Sequence, residues 1–219
     1  MKNIRWDKCN VVGTVCDTAS LQAASLRGSC DVVEIRADLY YPRSIARAIY
    51  DMPRPTILTV RDECEGGAER LTTEDRIQRY SSLLLEVSAF DVEIANIRLM
   101  QPVLDIAREH DIPFIASMHD FQGVPSRSAI TRAVARARDA GAACIKIAAL
   151  TDTSNGLSKL VDRLDLLEGM PFALMGMGRF AFASRVLFMQ CGSCLNYGSL
   201  GTATAPNQPT AKQLLQVAS

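Results

Sequence analysis

The chain reads as an α/β protein of the (β/α)8 TIM barrel type in a single domain. Three observations carry that reading: eight short β-rich apolar runs, helical segments alternating with them, and a length of 219 residues that suits one well-buried core. Strict alternation implies parallel strands joined by right-handed crossovers, with both faces of the sheet covered. An open doubly wound sheet shares this pattern. No GxGxxG follows the first run and no GxxxxGK[ST] occurs, so the closed barrel is preferred.

The predicted strands are VVGTV (11–15), VVEIR (32–36), TILTVR (56–61), FDVEI (90–94), PFIASMH (113–119), ACIKIA (143–148), FALMGM (172–177) and CLNYGS (194–199). The clearest helix is TTEDRIQRYSSLLLEV, where Thr72 or Thr73 caps the first turn and Glu74 and Asp75 suit its positive end. Further helices are expected over about 98–110, 126–140 and 179–190. The segment after Gln208 is short, and the chain ends where the last helix should form.

Composition narrows the functional classes. There are 24 basic and 24 acidic side chains, and mean hydropathy is +0.06. Such a balance gives no general pull toward nucleic acid or an anionic membrane, and points to a small, locally charged ligand. No signal peptide or long apolar segment is seen, so a cytoplasmic location is expected. Seven cysteines, an odd number lying mostly in apolar runs, suit reduced thiols. Cys191 and Cys194 form a CxxC without a second pair or nearby His, which is read as packing.

Barrels of this type build their sites at the carboxyl ends of the strands, and the unusual polar residues of this chain fall there. Glu34 and Arg36 share strand parity, Arg61 ends the third run, Glu93 the fourth and His119 the fifth. Lys146 stands in the middle of the sixth run, and Met175 and Met177 close the seventh. Glu34 with Arg36 or Arg61 reads either as a rim ion pair or as part of a site. His119 reads either as a core histidine or as an acid/base, whereas His110 ends a helix and reads as structural. Arginine forks suit an anionic, hydroxylated ligand. A lysine among apolar walls and cationic neighbours loses its proton more easily and attacks a carbonyl.

These residues sit in motifs that, in order, resemble the type I 3-dehydroquinate dehydratase family: VEIRADL (33–39), TVRDECEGG (59–67), DVE (91–93), SMHDF (117–121), IKIA (145–148), MGMGRFAFASR (175–185) and TAPNQ (204–208). The resemblance implies a lyase of the shikimate pathway that dehydrates 3-dehydroquinate through a Schiff base, with no metal or organic cofactor. It implies Lys146 as the Schiff-base lysine, His119 as general acid/base and Glu65 as the carboxylate that orients the histidine. Glu34, Arg36 and Arg61 would hold substrate hydroxyls and shape the charge around the lysine, Arg185 would clamp the substrate carboxylate, and Gln208 and Thr204 lie in the loop that closes over it. A homodimer is implied as well, and the resemblance leaves room for fusion to a shikimate dehydrogenase domain in a longer protein. Thr204 stands where the family often has Ser, and Asn207 where APGQ is usual; Asn tolerates positive φ, so closure should survive. A class I aldolase and a catalytically silent binding barrel are the rival readings; the absent phosphate cradle weighs against a phosphate-using aldolase, and the intact rim residues weigh against the silent barrel.

Overall fold

The computed structural model describes residues 2–67 and 70–218. Eight strands alternate with eight helices: β1 Asn10–Val15, α1 Thr18–Ser25, β2 Val32–Arg36, α2 Ile45–Asp51, β3 Thr56–Thr59, α3 Thr73–Leu83, β4 Ala89–Glu93, α4 Gln101–Glu109, β5 Phe114–Asp120, α5 Arg127–Asp139, β6 Cys144–Leu150, α6 Ser154–Val161, β7 Phe172–Met177, α7 Ala181–Gln190, β8 Leu195–Ser199 and α8 Ala211–Ala218. All paired strands are parallel, in the order β7-β6-β5-β4-β3-β2-β1-β8. Each predicted run became a strand, so the (β/α)8 reading holds.

Differences at element ends have local causes. Helix α4 starts at Gln101 rather than near 98, with Pro102 in its first turn, where a missing N–H does no harm. Thr72 caps α3 in a reciprocal pair with Asp75. The short segment after Gln208 does form a helix: Thr210 and Gln213 cap each other, and α8 buries Ala211 and Leu214.

The barrel is least regular between β7 and β8, the two ends of the hydrogen-bonded order. At the amino ends the Cys194 N–H donates to the Phe172 carbonyl at 2.8 Å. Further up, the guanidinium of Arg185 from α7 fills the seam, donating to Gly176 O on β7 and Tyr197 O on β8, each at 2.8 Å. Carbonyls that the ladder leaves unpaired are thereby satisfied.

Inside the barrel, side chains change from apolar to polar within one step along the strands. The inward residues Val12, Val32, Ile57, Ala89, Ile115 and Cys144 belong to one buried apolar cluster. Two residues later on each strand, hence on the same face, stand Thr14, Glu34, Thr59, Asp91, Ser117 and Lys146, all buried. The apolar floor accounts for packing, and the polar level above it must be satisfied internally or used.

Candidate active site

Lys146 is 4% exposed and stands in the middle of the polar level. Its Nζ donates to Asp91 Oδ2 at 3.0 Å, lies 3.5 Å from Glu34 Oε1, and sits 4.0 Å from the centre of the Tyr197 ring. These four residues come from β6, β4, β2 and β8, alternate strands that contribute to one layer of such a barrel. The close charged neighbours are thus carboxylates, not the cations expected from the sequence. Strand parity gives the face of a side chain, whereas the shear of the barrel decides which residues share a level.

Asp91 is the hub. Its Oδ1 accepts from Arg61 Nη2 at 2.8 Å and Ser117 Oγ at 2.6 Å, and Arg61 Nη1 also reaches Ser117 and Glu93. Burial would raise the Asp91 carboxyl, but Arg61 and then Lys146 outweigh it and hold it well below the usual range. Glu93 is shared with Arg76 from α3 and serves this scaffold.

Of the two readings of Glu34, the rim ion pair with Arg36 or Arg61 does not form. Glu34 instead accepts hydroxyls from Thr14 at 3.1 Å and Thr59 at 2.9 Å, its neighbours on β1 and β3. Arg36 makes a two-pronged pair with Asp38 at 2.9 and 2.7 Å and reaches Gly66 O at 3.2 Å. Each arginine is taken by a carboxylate nearer to it, which leaves Glu34 facing the lysine.

His119 stands next to last in β5 with its Nδ1 2.9 Å from Glu65 Oε2, which also accepts the His119 N–H at 2.9 Å. Glu65 comes from the 62–67 loop. Its short helical turn over 63–65 ends at Gly66 with φ 89, and a Cβ at Gly67 would lie 2.4 Å from Arg61 O, so the two glycines let the turn bring Glu65 over β5. Burial and the charges of Arg61 and Lys146 push the His119 imidazole well below its ordinary pKa, so the ring is neutral near pH 7. Burial raises Glu65 to about 7. With Nδ1 committed, Nε2 is the nitrogen left for a ligand.

Arg185 is 2% exposed, and among the described residues no carboxylate pairs with it. Burial alone lowers its pKa to about 10. Across the cavity, Gln208 Oε1 accepts from Thr204 N at 2.8 Å and Thr204 Oγ1 at 3.1 Å, so its amide NH2 is the end left to donate. Asn207 takes φ 53, the left-handed conformation expected of it.

One cavity at the carboxyl ends of the strands is lined by all nine sequence-predicted residues, Glu34, Arg36, Arg61, Glu65, His119, Lys146, Arg185, Thr204 and Gln208, together with Met175 and Met177. Tyr197 and Phe121 line it too, and sequence reasoning missed both. Asp91 and Ser117 were missed behind Lys146; the available signal was their inward parity, two residues before Glu93 and His119. Among the described residues, no three His, Cys, Asp or Glu side chains converge as metal ligands. All seven cysteines are free, so Cys191 and Cys194 form no disulfide.

A family model described as Type I 3-dehydroquinase matches residues 9–219. The 3-dehydroquinate dehydratase of Methanothrix thermoacetophila is 33% identical over 186 residues, 84% of this chain and 79% of that protein. That of Methanocella arvoryzae is 29% identical over 209 residues, 94% of each chain. In fold, the crystal structure of 3-dehydroquinate dehydratase from Geobacillus kaustophilus superposes with a TM-score of 0.86 at 19% identity, covering 96% of this chain and 90% of that one. On the extent of the family match and of these relatives, the chain belongs to the type I 3-dehydroquinase family.

Proposed function

We propose that Lys146 and His119 carry out the family's reaction in this barrel, the dehydration of 3-dehydroquinate to 3-dehydroshikimate in the shikimate pathway. The chain is a lyase by membership. The observation that supports these two residues is their position: an amine inside the barrel and an imidazole oriented by Glu65 open onto the same cavity.

The Lys146 nitrogen attacks the ketone carbon and, after water leaves, a protonated imine joins the two. The imine acidifies the neighbouring C–H, from which His119 Nε2 takes the proton, and the electron pair moves into the imine nitrogen. The resulting enamine expels the hydroxyl one carbon further on, and the imidazolium returns the proton to the departing oxygen. Water then hydrolyses the conjugated imine and frees Lys146. Arg185, a buried cation without a carboxylate, and the Gln208 amide, whose oxygen is already used by Thr204, suit the substrate carboxylate. Glu34 and Arg36 suit ring hydroxyls. Arg61 spends three donor contacts on Asp91, Glu93 and Ser117, so its main part is to fix the charge beside the amine.

Lys146→Ala should abolish the rise in enone absorbance with dehydroquinate, and borohydride added with substrate should leave a reduced adduct on Lys146. Turnover by the variant, or activity without an adduct on the wild type, would refute the assignment.

The same proposal includes a homodimer, a single-domain chain and a cytoplasmic location. The free thiols support a reducing compartment. Among the described residues no helix is long and apolar enough to cross a membrane. Fusion to a shikimate dehydrogenase domain is the other arrangement the family resemblance allows, and the mass of the native protein by light scattering decides between them.

A further inference from the structure

The turn that carries Glu65 starts at Asp62, and every polar atom of that residue is engaged. The Asp62 N–H donates to Glu93 Oε1 at 3.1 Å, and its carbonyl accepts from Glu65 N at 3.0 Å and Gly67 N at 2.9 Å. In the side chain, Oδ1 caps the turn by accepting from Cys64 N at 2.9 Å. The other oxygen, Oδ2, accepts from Arg76 Nη1 and Asn96 Nδ2, each at 3.0 Å.

The cap alone asks little of this position, since serine or asparagine would serve it as well. The second oxygen is what needs explaining. It ties the turn to Arg76 of α3 and to Asn96 just after β4, and both of these also hold Glu93 Oε2. Arg76 is itself buried and fixed by two bonds to Val60 O, at 2.9 and 3.1 Å. Glu93 in turn holds Arg61, which sets the charge beside Lys146. One frame thus supports both halves of the site, the amine through Arg61 and the imidazole through Glu65. A carboxylate can cap the turn and accept a guanidinium at once, which a hydroxyl cannot.

We infer that Asp62 is a positioning residue for the reaction: held by Arg76 and Asn96, it fixes the turn on which Glu65 meets His119. This rests on the roles of Glu65 and His119 proposed above. Asp62 does not line the cavity, so its effect reaches the substrate only through Glu65. The groups that face Glu65 are His119 from β5, Arg61 at the end of β3, and Asp91 and Glu93 from β4. Cys64 stands beside it in the turn, and Arg36 from β2 reaches the neighbouring Gly66 O. Burial among them raises the Glu65 carboxyl. Freeing the turn returns that carboxyl toward water and lowers it again.

Steady-state kinetics across pH separate this from a purely structural role. Asp62→Ala should lower kcat about 10- to 100-fold, the cost of misplacing a proton-transfer pair by about an ångström, with KM within about twofold of wild type. The limb of kcat/KM set by Glu65 should move down by about 1 pH unit. Asn96→Ala leaves every charge in place. It should move the limb the same way and lower kcat about 3- to 5-fold, which assigns the effect to geometry and not to the lost charge. A wild-type kcat and limb in either variant, or a loss confined to KM, would overturn the inference whatever happens to the unfolding temperature. If Asp62→Ala does not fold, Asn96→Ala decides alone. Glu65→Gln and His119→Ala, run beside them, tell the ideas apart. An impaired Glu65→Gln with an unaffected Asp62→Ala removes only the part given to Asp62. A wild-type Glu65→Gln, or full turnover by His119→Ala, removes the oriented imidazole and the part of Asp62 with it.

Discussion

Lys146 Nζ and Asp91 Oδ2 are 3.0 Å apart in the middle of the barrel, and the other Asp91 oxygen is fixed by Arg61 and Ser117. The amine proposed to react is therefore held by a carboxylate that cannot swing away without breaking two further hydrogen bonds. Above the apolar floor, water cannot replace these contacts, and the network holds its geometry only while each member is present.

Asp91→Asn should thus destabilise the fold by about 3 kcal/mol at neutral pH, since it leaves Arg61 and Lys146 without their shared countercharge. The folded-state pKa of Asp91 is depressed. Its contribution is therefore fully present above the ordinary value of 3.8 and is lost as pH falls through the depressed one. Urea unfolding at pH 7 and at progressively lower pH should show the gap between variant and wild type closing in acid. Combined with Lys146→Ala, the two losses should sum to less than their separate values by about 1–3 kcal/mol, the coupling expected of direct partners.

Glu65 gives a pH signature in activity. While its carboxylate is ionised it accepts the Nδ1 proton of His119, which leaves Nε2 bare for the substrate. Once protonated, it donates to Nδ1 and the opposite tautomer follows. Because burial raises Glu65 to about 7, kcat/KM should rise through a limb near that pH. Glu65→Gln keeps an acceptor oxygen, so it should lose only about tenfold while the limb disappears. Stability moves the other way. A raised carboxyl binds more protons in the folded than the unfolded state between 4.5 and about 7, so its contribution falls as pH rises through that window. Glu65→Gln should become progressively more stable relative to wild type over that range, by up to roughly 3 kcal/mol. Parallel pH–rate and denaturation series check both signs.

How far the sequence revealed this site depends on the kind of information each residue carries. The alternation of apolar runs and helices located all eight strands, because a buried parallel strand has little freedom in composition. Lys146 and His119 were visible because a charged or titratable group inside an apolar run is costly unless it is paired or used. Asp91 was not singled out, since the stronger end-of-strand signal two residues on, Glu93, drew the functional reading, although Glu93 proves to belong to the scaffold. Tyr197 reads as an ordinary core aromatic, and only its buried hydroxyl, without a hydrogen-bond partner, distinguishes it. The partners of Arg61 were illegible for another reason, since they depend on which residues the barrel's shear sets side by side, whereas Arg36 pairs with Asp38 only two residues on, a local pair inside the VEIRADL motif.

Arg185 links the seam of the barrel to the proposed carboxylate site, so its removal should show in two measurements. Arg185→Met relieves the burial of an unpaired cation, but it also abandons charge-assisted bonds to the Gly176, Ala181 and Tyr197 carbonyls. Lowering from 12.5 to about 10 corresponds to roughly 3 kcal/mol of burial penalty, against about 1.5–3 kcal/mol for each of three bonds. The bonds win, and the variant should lose about 2–4 kcal/mol in urea unfolding. The product 3-dehydroshikimate should raise the unfolding temperature of wild type, while the variant should show little or no shift.

Asn207 decides whether the loop bearing Thr204 and Gln208 depends on a left-handed backbone. With φ 53, this position is open to Gly and Asn and unfavourable for a β-branched residue. Asn207→Gly should leave KM and kcat within about twofold of wild type, because the conformation is already within glycine's easy range. Asn207→Val would need about 1–2 kcal/mol to hold the same turn. The turn sets the approach of the Gln208 amide, whose backbone N–H donates to Ala205 O at 3.2 Å. The strain should therefore appear mainly as a raised KM, roughly 5- to 30-fold, with kcat much less affected. Steady-state kinetics on the two variants settle it: equal KM values for Val and Gly would mean that the loop reaches its closed form without this turn.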